Sequence, residues 1–162
     1  MSENAEFWGR FGLGTRLRLL QERLNKDVDQ FYQSHDVEFK TRFYAVFKLL
    51  KTTESKTIKT LSEEAGTSHS AMSQTIKSMV DVNYVKLITG DDARQKVVLL
   101  TEVGESMLKQ LNPLWEQIDA ANETMMASLN VDFYAALSQL EAALDETSLL
   151  QRIQNTATKG ER

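Results

Sequence analysis

The 162-residue sequence predicts a mainly α-helical fold carrying one small β-hairpin. Three observations predict it. Apolar residues recur at steps of three and four along both ends of the chain. Seven glycines and a single proline, Pro113, leave little turn punctuation. Two β-branched-rich runs, YVKLIT and QKVVLL, flank a polar segment at 90–94 and read as antiparallel strands.

The elements follow in order. From about Glu6 to Tyr32, Leu13, Leu17, Leu20, Leu24, Val28 and Phe31 form the apolar stripe of a long amphipathic helix. A second helix is expected over Glu38 to Lys51, with Phe39, Phe43, Phe47 and Leu50 on its buried side. Thr57 is suited to cap a short helix, IKTLSEEA, in which Ile58, Leu61 and Ala65 share a face. Gly66 suits a left-handed helix stop, and Ser68 a new cap. Met72, Ile76 and Met79 then turn inward, and Asn83 closes the helix in the left-handed region that asparagine tolerates. Helix, tight turn, helix and hairpin together make a winged helix-turn-helix. Beyond Thr101, Leu108, Leu111, Trp115, Ile118 and Met125 continue a three-four spacing, with Asn122 in the series. Pro113 should kink or restart that helix. A last helix is expected from near Asn130, striped by Phe133, Leu137, Leu140 and Leu144. The tail QNTATKGER reads as frayed.

Composition excludes several function classes. No apolar run approaches the ~20 residues of a membrane span, and MSENAEFWGRFG, with no basic start followed by an apolar stretch, leads to the expectation of no secretory signal. With no cysteine, disulfides and thiolate chemistry are excluded, and a cytoplasmic location is expected. His35 and His69 are the only histidines, and neither stands at metal-ligand spacing. With no phosphate-cradling loop and no nucleophile elbow either, the expectation is no enzyme, no cofactor and no metal. Net charge is -4, yet residues 1–47 balance to zero, 48–100 to +2 and 101–162 to -6. A polyanion, if bound, meets the middle.

The second helix of the motif presents Ser68, His69, Ser70, Ala71, Ser73, Gln74 and Lys77. Its first turns are those that enter a major groove. Gln74 can pair with both N6 and N7 of adenine, and Ala71 is small enough for a thymine methyl. Ser70 suits base or phosphate, and Lys77 a phosphate. Taken without the flanking turn and wing, the same residues are a plain solvated helix face. At the wing tip, Arg94 is suited to a narrow A·T-rich minor groove, with Asp92 placed to hold its guanidinium.

The stretch TLSEEAGTSHSAMSQTIKSM through DDARQKVVLLTEVG resembles the MarR family of bacterial regulators. The resemblance rests on the helix-turn-helix, the Asp92-x-Arg94 wing element, and the Leu100-Thr101-x-x-Gly104 entry into a long helix. The helix layout agrees over about residues 6–153. Gln74 stands where the family often has arginine, Asn83 where glycine is usual, and Gln95 where a basic wing residue is common. These departures bear on affinity and base preference, and leave the fold intact.

The resemblance implies a homodimeric transcription regulator, most often a repressor, on pseudo-palindromic double-stranded DNA. It also implies a small aromatic or acidic effector. Phe39, Arg42, Phe43, Tyr44, Phe47 and Trp115 are the candidate lining, with core packing the alternative for each aromatic. The expected organisation is one structural domain, with residues 1–54 and 101–162 providing dimerisation helices around a 55–100 DNA-reading region. The rival reading is a winged-helix ligand-sensing or protein-interaction module that does not bind DNA.

Overall fold

Helix α1 spans Leu13–Ser34 in a computed structural model that describes residues 7, 9, 11–50, 55–89 and 96–157. The sequence placed its start near Glu6. Phe7 is helical, but Gly9 takes a left-handed φ of 49° and Phe11 and Gly12 are turn residues, so the long helix begins after them. It closes where Asp36 adopts φ 53° and the amides of His35 and Val37 both donate to the carbonyl of Tyr32.

The second expected helix is shorter than its apolar pattern. Residues 37–40 are not helical, a 3₁₀ turn covers Thr41–Phe43, and α2 is only Tyr44–Leu49. The buried set is nevertheless right: Phe39, Phe43, Phe47 and Leu50 are all in the core. Lys51 lies outside the described residues.

The middle of the chain follows its local signals closely. Thr57 Oγ1 accepts from the Thr60 amide at 3.0 Å, opening α3 (Ile58–Glu64). Gly66 has φ 61°. Ser68 Oγ accepts from the Ala71 amide at 3.2 Å, opening α4 (His69–Asp81), whose Met72, Ile76 and Met79 are buried. Asn83 has φ 58°, and the Tyr84 amide then reaches back to the Met79 carbonyl at 2.8 Å. Strand β2 (Val85–Thr89) pairs antiparallel with β3 (Lys96–Leu100), setting Val85 opposite Leu100 and Thr89 opposite Lys96. The sequence missed a third strand, β1 (Lys56–Thr57), on the other edge of β3. Two residues are too few to show a period.

Helix α5 runs Glu102–Ala127 without a restart at Pro113. Proline deletes one backbone donor, which the flanking turns of a 26-residue helix tolerate. At its start, Thr101 Oγ1 accepts from the Gly104 amide at 3.1 Å, while the Thr101 amide donates to the Tyr84 carbonyl at 3.0 Å.

Residues 1–115 form one compact unit. Its centre is aromatic: Phe39 meets Tyr32, Phe43, Phe47 and Trp115 at centroid distances of 5.1 to 6.2 Å. Tyr84 packs edge-on against Phe43 and Phe47. The buried Trp115 indole donates to the Tyr32 hydroxyl at 2.9 Å, so neither polar tip is stranded. Leu111, placed with the terminal stripe by its spacing, is completely buried here.

Residues 116–162 form the second unit. After α5, the Asp132 carboxylate accepts from the Ala135 amide at 2.9 Å and opens α6 (Phe133–Glu146). A further helix, α7 (Leu149–Ala157), covers sequence expected in part to fray. Its start is a capping box: the Ser148 amide donates to Gln151 Oε1 at 3.1 Å, and the Gln151 amide to Ser148 Oγ at 3.3 Å. Arg152 donates to the carbonyls of Thr147 and Ala143, satisfying the end of α6. No described residue of this unit is fully buried; Leu149, Leu150 and Ile153 are each more than half exposed.

Candidate nucleic-acid interface

The local sequence dictates which side of α4 is free. Met72, Ile76 and Met79 occupy the inward stripe, so the residues about half a turn round from it face out, while Ser73, Thr75 and Ser78 flank it half-buried. Ser68, His69, Ser70, Ala71, Gln74 and Lys77 are exposed, and Ser73 is half-buried with its hydroxyl 3.5 Å from His69 Nδ1. Ser70, Gln74 and Lys77 fall at steps of four and three, one above the other on one face. The helix carries no acidic side chain in its first turn. Ser68 caps the Ala71 amide, and the positive end of the helix dipole meets no acidic side chain in that turn, which suits a phosphate.

A pair of hydrogen bonds links this face to the element behind it. Arg42, on the 3₁₀ turn, donates from Nη2 to Ser78 Oγ at 3.0 Å, and that hydroxyl donates to the Gln74 carbonyl at 3.0 Å. The hairpin follows α4 directly, as a wing does, with Lys86 and Lys96 exposed on its strands. Asp92, Arg94 and Gln95 of the wing tip lie outside the described residues.

The six candidate effector residues do not converge on one cavity. Phe39, Phe43, Phe47 and Trp115 interlock in the core, and Tyr44 stacks edge-on against Trp115 at 4.9 Å. A more polar cavity of about 480 Å³ opens beside them, between α1 and residues 37–42. Phe39 and Arg42 are in its wall; Phe43, Tyr44, Phe47 and Trp115 are not. Asn25, Asp29 and Gln33, also in the wall, lie at steps of four along α1. That spacing of polar residues stands in the sequence itself. Among the described residues, no group of three or more His, Cys, Asp or Glu side chains could hold a metal.

Geometry of this kind recurs in solved structures. The transcriptional regulator MosR of M. tuberculosis, in complex with DNA, aligns at a TM-score of 0.66 and 20% identity, covering 85% of this chain and 98% of that one. A mutant MarR of E. coli complexed with operator DNA aligns at 0.66 and 16%, covering 84% and 98%. The chain has the MarR-type winged-helix fold. The PcaV transcriptional regulator of Streptomyces coelicolor, in complex with its natural ligand, shares that MarR-type fold at 0.63 and 19%, covering 84% and 93%. No protein-family profile and no curated protein sequence matches the chain. No helix among the described residues is long and apolar enough to cross a membrane.

Proposed function

We propose that this protein is a sequence-specific duplex-DNA-binding transcription regulator, working in the cytoplasm as a homodimer, most simply as a repressor released by a small effector, and that it is not an enzyme. One observation carries the reading. A capped helix, set after a tight left-handed turn and followed directly by a hairpin, exposes Ser70, Ala71, Gln74 and Lys77 on a single face. Those residue types match base edges and phosphate, with Gln74 suited to adenine. Asp92 and Arg94 complete the proposed footprint in the adjacent minor groove. MosR and MarR, regulators of like fold solved in complex with DNA, support the reading.

The homodimer is supported by α1. Leu13, Leu17, Leu20 and Leu24 are 39–50% exposed at alternating steps of four and three, an apolar stripe that a single chain leaves in water. Two-fold pairing buries such a stripe and sets two reading helices about one helical turn apart. For the effector, the open cavity of mixed lining beside α1 is the better receptacle than the closed aromatic core, and a ligand-bound PcaV of like fold supports responsiveness. The test is selection of bound sequences from a random duplex library, followed by titration at several salt concentrations. Enrichment of a two-fold symmetric motif supports the reading. Failure to enrich any sequence would favour the interaction module without DNA, which the acidic net charge of -4 already suits.

A further inference from the structure

We propose that Arg42 is a positioning residue for the reading helix, acting through Ser78; the inference rests on α4 being the element that meets DNA. The chain of contacts is short. Arg42 Nη2 donates to Ser78 Oγ at 3.0 Å, and Ser78 Oγ donates to the main-chain carbonyl of Gln74 at 3.0 Å. Gln74 is the residue whose side chain is best suited to read a base. The guanidinium thus grips the same turn of helix that carries the reading amide.

The other end of the link is fixed. The Arg42 guanidinium lies over the Phe43 ring, 5.4 Å from its centroid, and Phe43 is buried in the aromatic core. Thr41, one residue earlier, donates to the Asp29 carboxylate on α1 at 2.9 Å. Among the described residues no carboxylate pairs with Arg42, so its principal polar partner is the α4 hydroxyl. A charged donor on a neutral hydroxyl is a stronger tie than a neutral pair. Because the guanidinium is exposed, its worth lies in orientation more than in stability. A helix rotated by a few degrees about Ile76 keeps its core contacts and loses the register of Gln74 against a base.

The test compares Arg42→Met, which keeps the apolar stem over Phe43 and removes the donors, with Ser78→Ala and the double variant. Competition titrations use the selected duplex and a scrambled one, and hydrogen exchange follows the amides of residues 74–78 in the absence of DNA. The expectation is a three- to tenfold loss of discrimination in each single variant, on the order of one net hydrogen bond at an exposed site, with no further loss in the double variant. Amide exchange over 74–78 should quicken in all three while the thermal midpoint stays near the parent's. Arg42→Lys, which keeps one donor, should restore part of the discrimination. Additive losses, or unchanged discrimination and exchange in both single variants, overturn the proposal. If the parent itself fails to discriminate between duplexes, the DNA reading has failed; unchanged exchange would then overturn the Arg42 link separately.

Discussion

The backbone at Gly104 passes so close to Tyr84 that a Cβ there would stand 2.0 Å from the Tyr84 carbonyl oxygen. That same oxygen accepts the Thr101 amide at 3.0 Å. Thr101 and Gly104 therefore pin the start of α5 onto the exit from α4, fixing where the wing begins. Gly104→Ala must push the two segments apart, and a methyl forced into a packed site costs about 1–3 kcal/mol. Urea unfolding should show the loss as a lowered midpoint at unchanged slope. A midpoint equal to the parent's would mean that the approach is looser than the geometry states.

Alkaline pH should destabilise the first unit for a reason located at two tyrosines. Burial raises the Tyr32 phenol above its ordinary value, partly offset by the hydrogen bond from Trp115. Burial also raises Tyr84, helped by the nearby Glu38 carboxylate. A group whose folded pKa is raised contributes stability that is intact below the unfolded value, about 10. That stability declines as pH rises through the folded values. Unfolding midpoints should therefore hold steady from neutrality to about pH 9 and fall above 10. Tyr32→Phe should soften that fall; an identical alkaline profile in Tyr32→Phe and the parent would refute the assignment for Tyr32.

Much of this fold was legible because its signals are local. Thr57, Gly66, Ser68 and Asn83 each act within three or four residues, and each does in the structure what its chemistry suggested. The capping box at Ser148 and Gln151 is equally local, and it starts a helix that runs into the polar tail. The differences over which residues are buried have one physical source. Periodicity reports which residues need burial, and is silent on what buries them. Leu111 shares the spacing of the terminal stripe yet packs wholly inside the first unit, while Leu17 and Leu20 of α1 stay in water. For the aromatics from Phe39 to Trp115 the sequence favours core packing over a pocket residue by residue, and their rings do interlock. The Arg42–Ser78 link spans 36 residues and carries no sequence signature at all.

The distinction between buried and exposed leucines changes which variants test dimerisation. Leu111→Asp would put a charge into a closed core and unfold the unit, since an unpaired buried charge costs several kcal/mol. Leu17→Asp and Leu20→Asp place the charge on side chains already 40% and 44% exposed, so the monomer should fold. Sedimentation should show a monomer at concentrations where the parent is dimeric, with an unchanged helical spectrum. A dimer retained by both variants would remove α1 from the interface.

Reading and holding should separate at the candidate interface. Gln74→Ala removes a side chain able to make two hydrogen bonds to one adenine, so it should cost roughly 1–3 kcal/mol on the selected duplex and relax preference at one position per half-site. Lys77→Ala removes a charge exposed one turn further on, and should weaken all duplexes alike. The salt dependence should then drop by about one ion per half-site. Arg94→Ala, at the wing tip, should lower salt dependence in the same way and also flatten any preference for A·T pairs flanking the half-sites. In a two-fold dimer each effect appears twice per operator, which makes even the smaller ones measurable. Titrating the three variants against matched, scrambled and flank-substituted duplexes at several salt concentrations gives three different patterns of loss. If Gln74→Ala weakens every duplex equally, the amide holds backbone rather than reading a base, and specificity must arise from the wing or from DNA shape. If all three variants bind every duplex as the parent does, α4 and the wing are not the contact surface, and the interaction module without DNA becomes the better description of this fold.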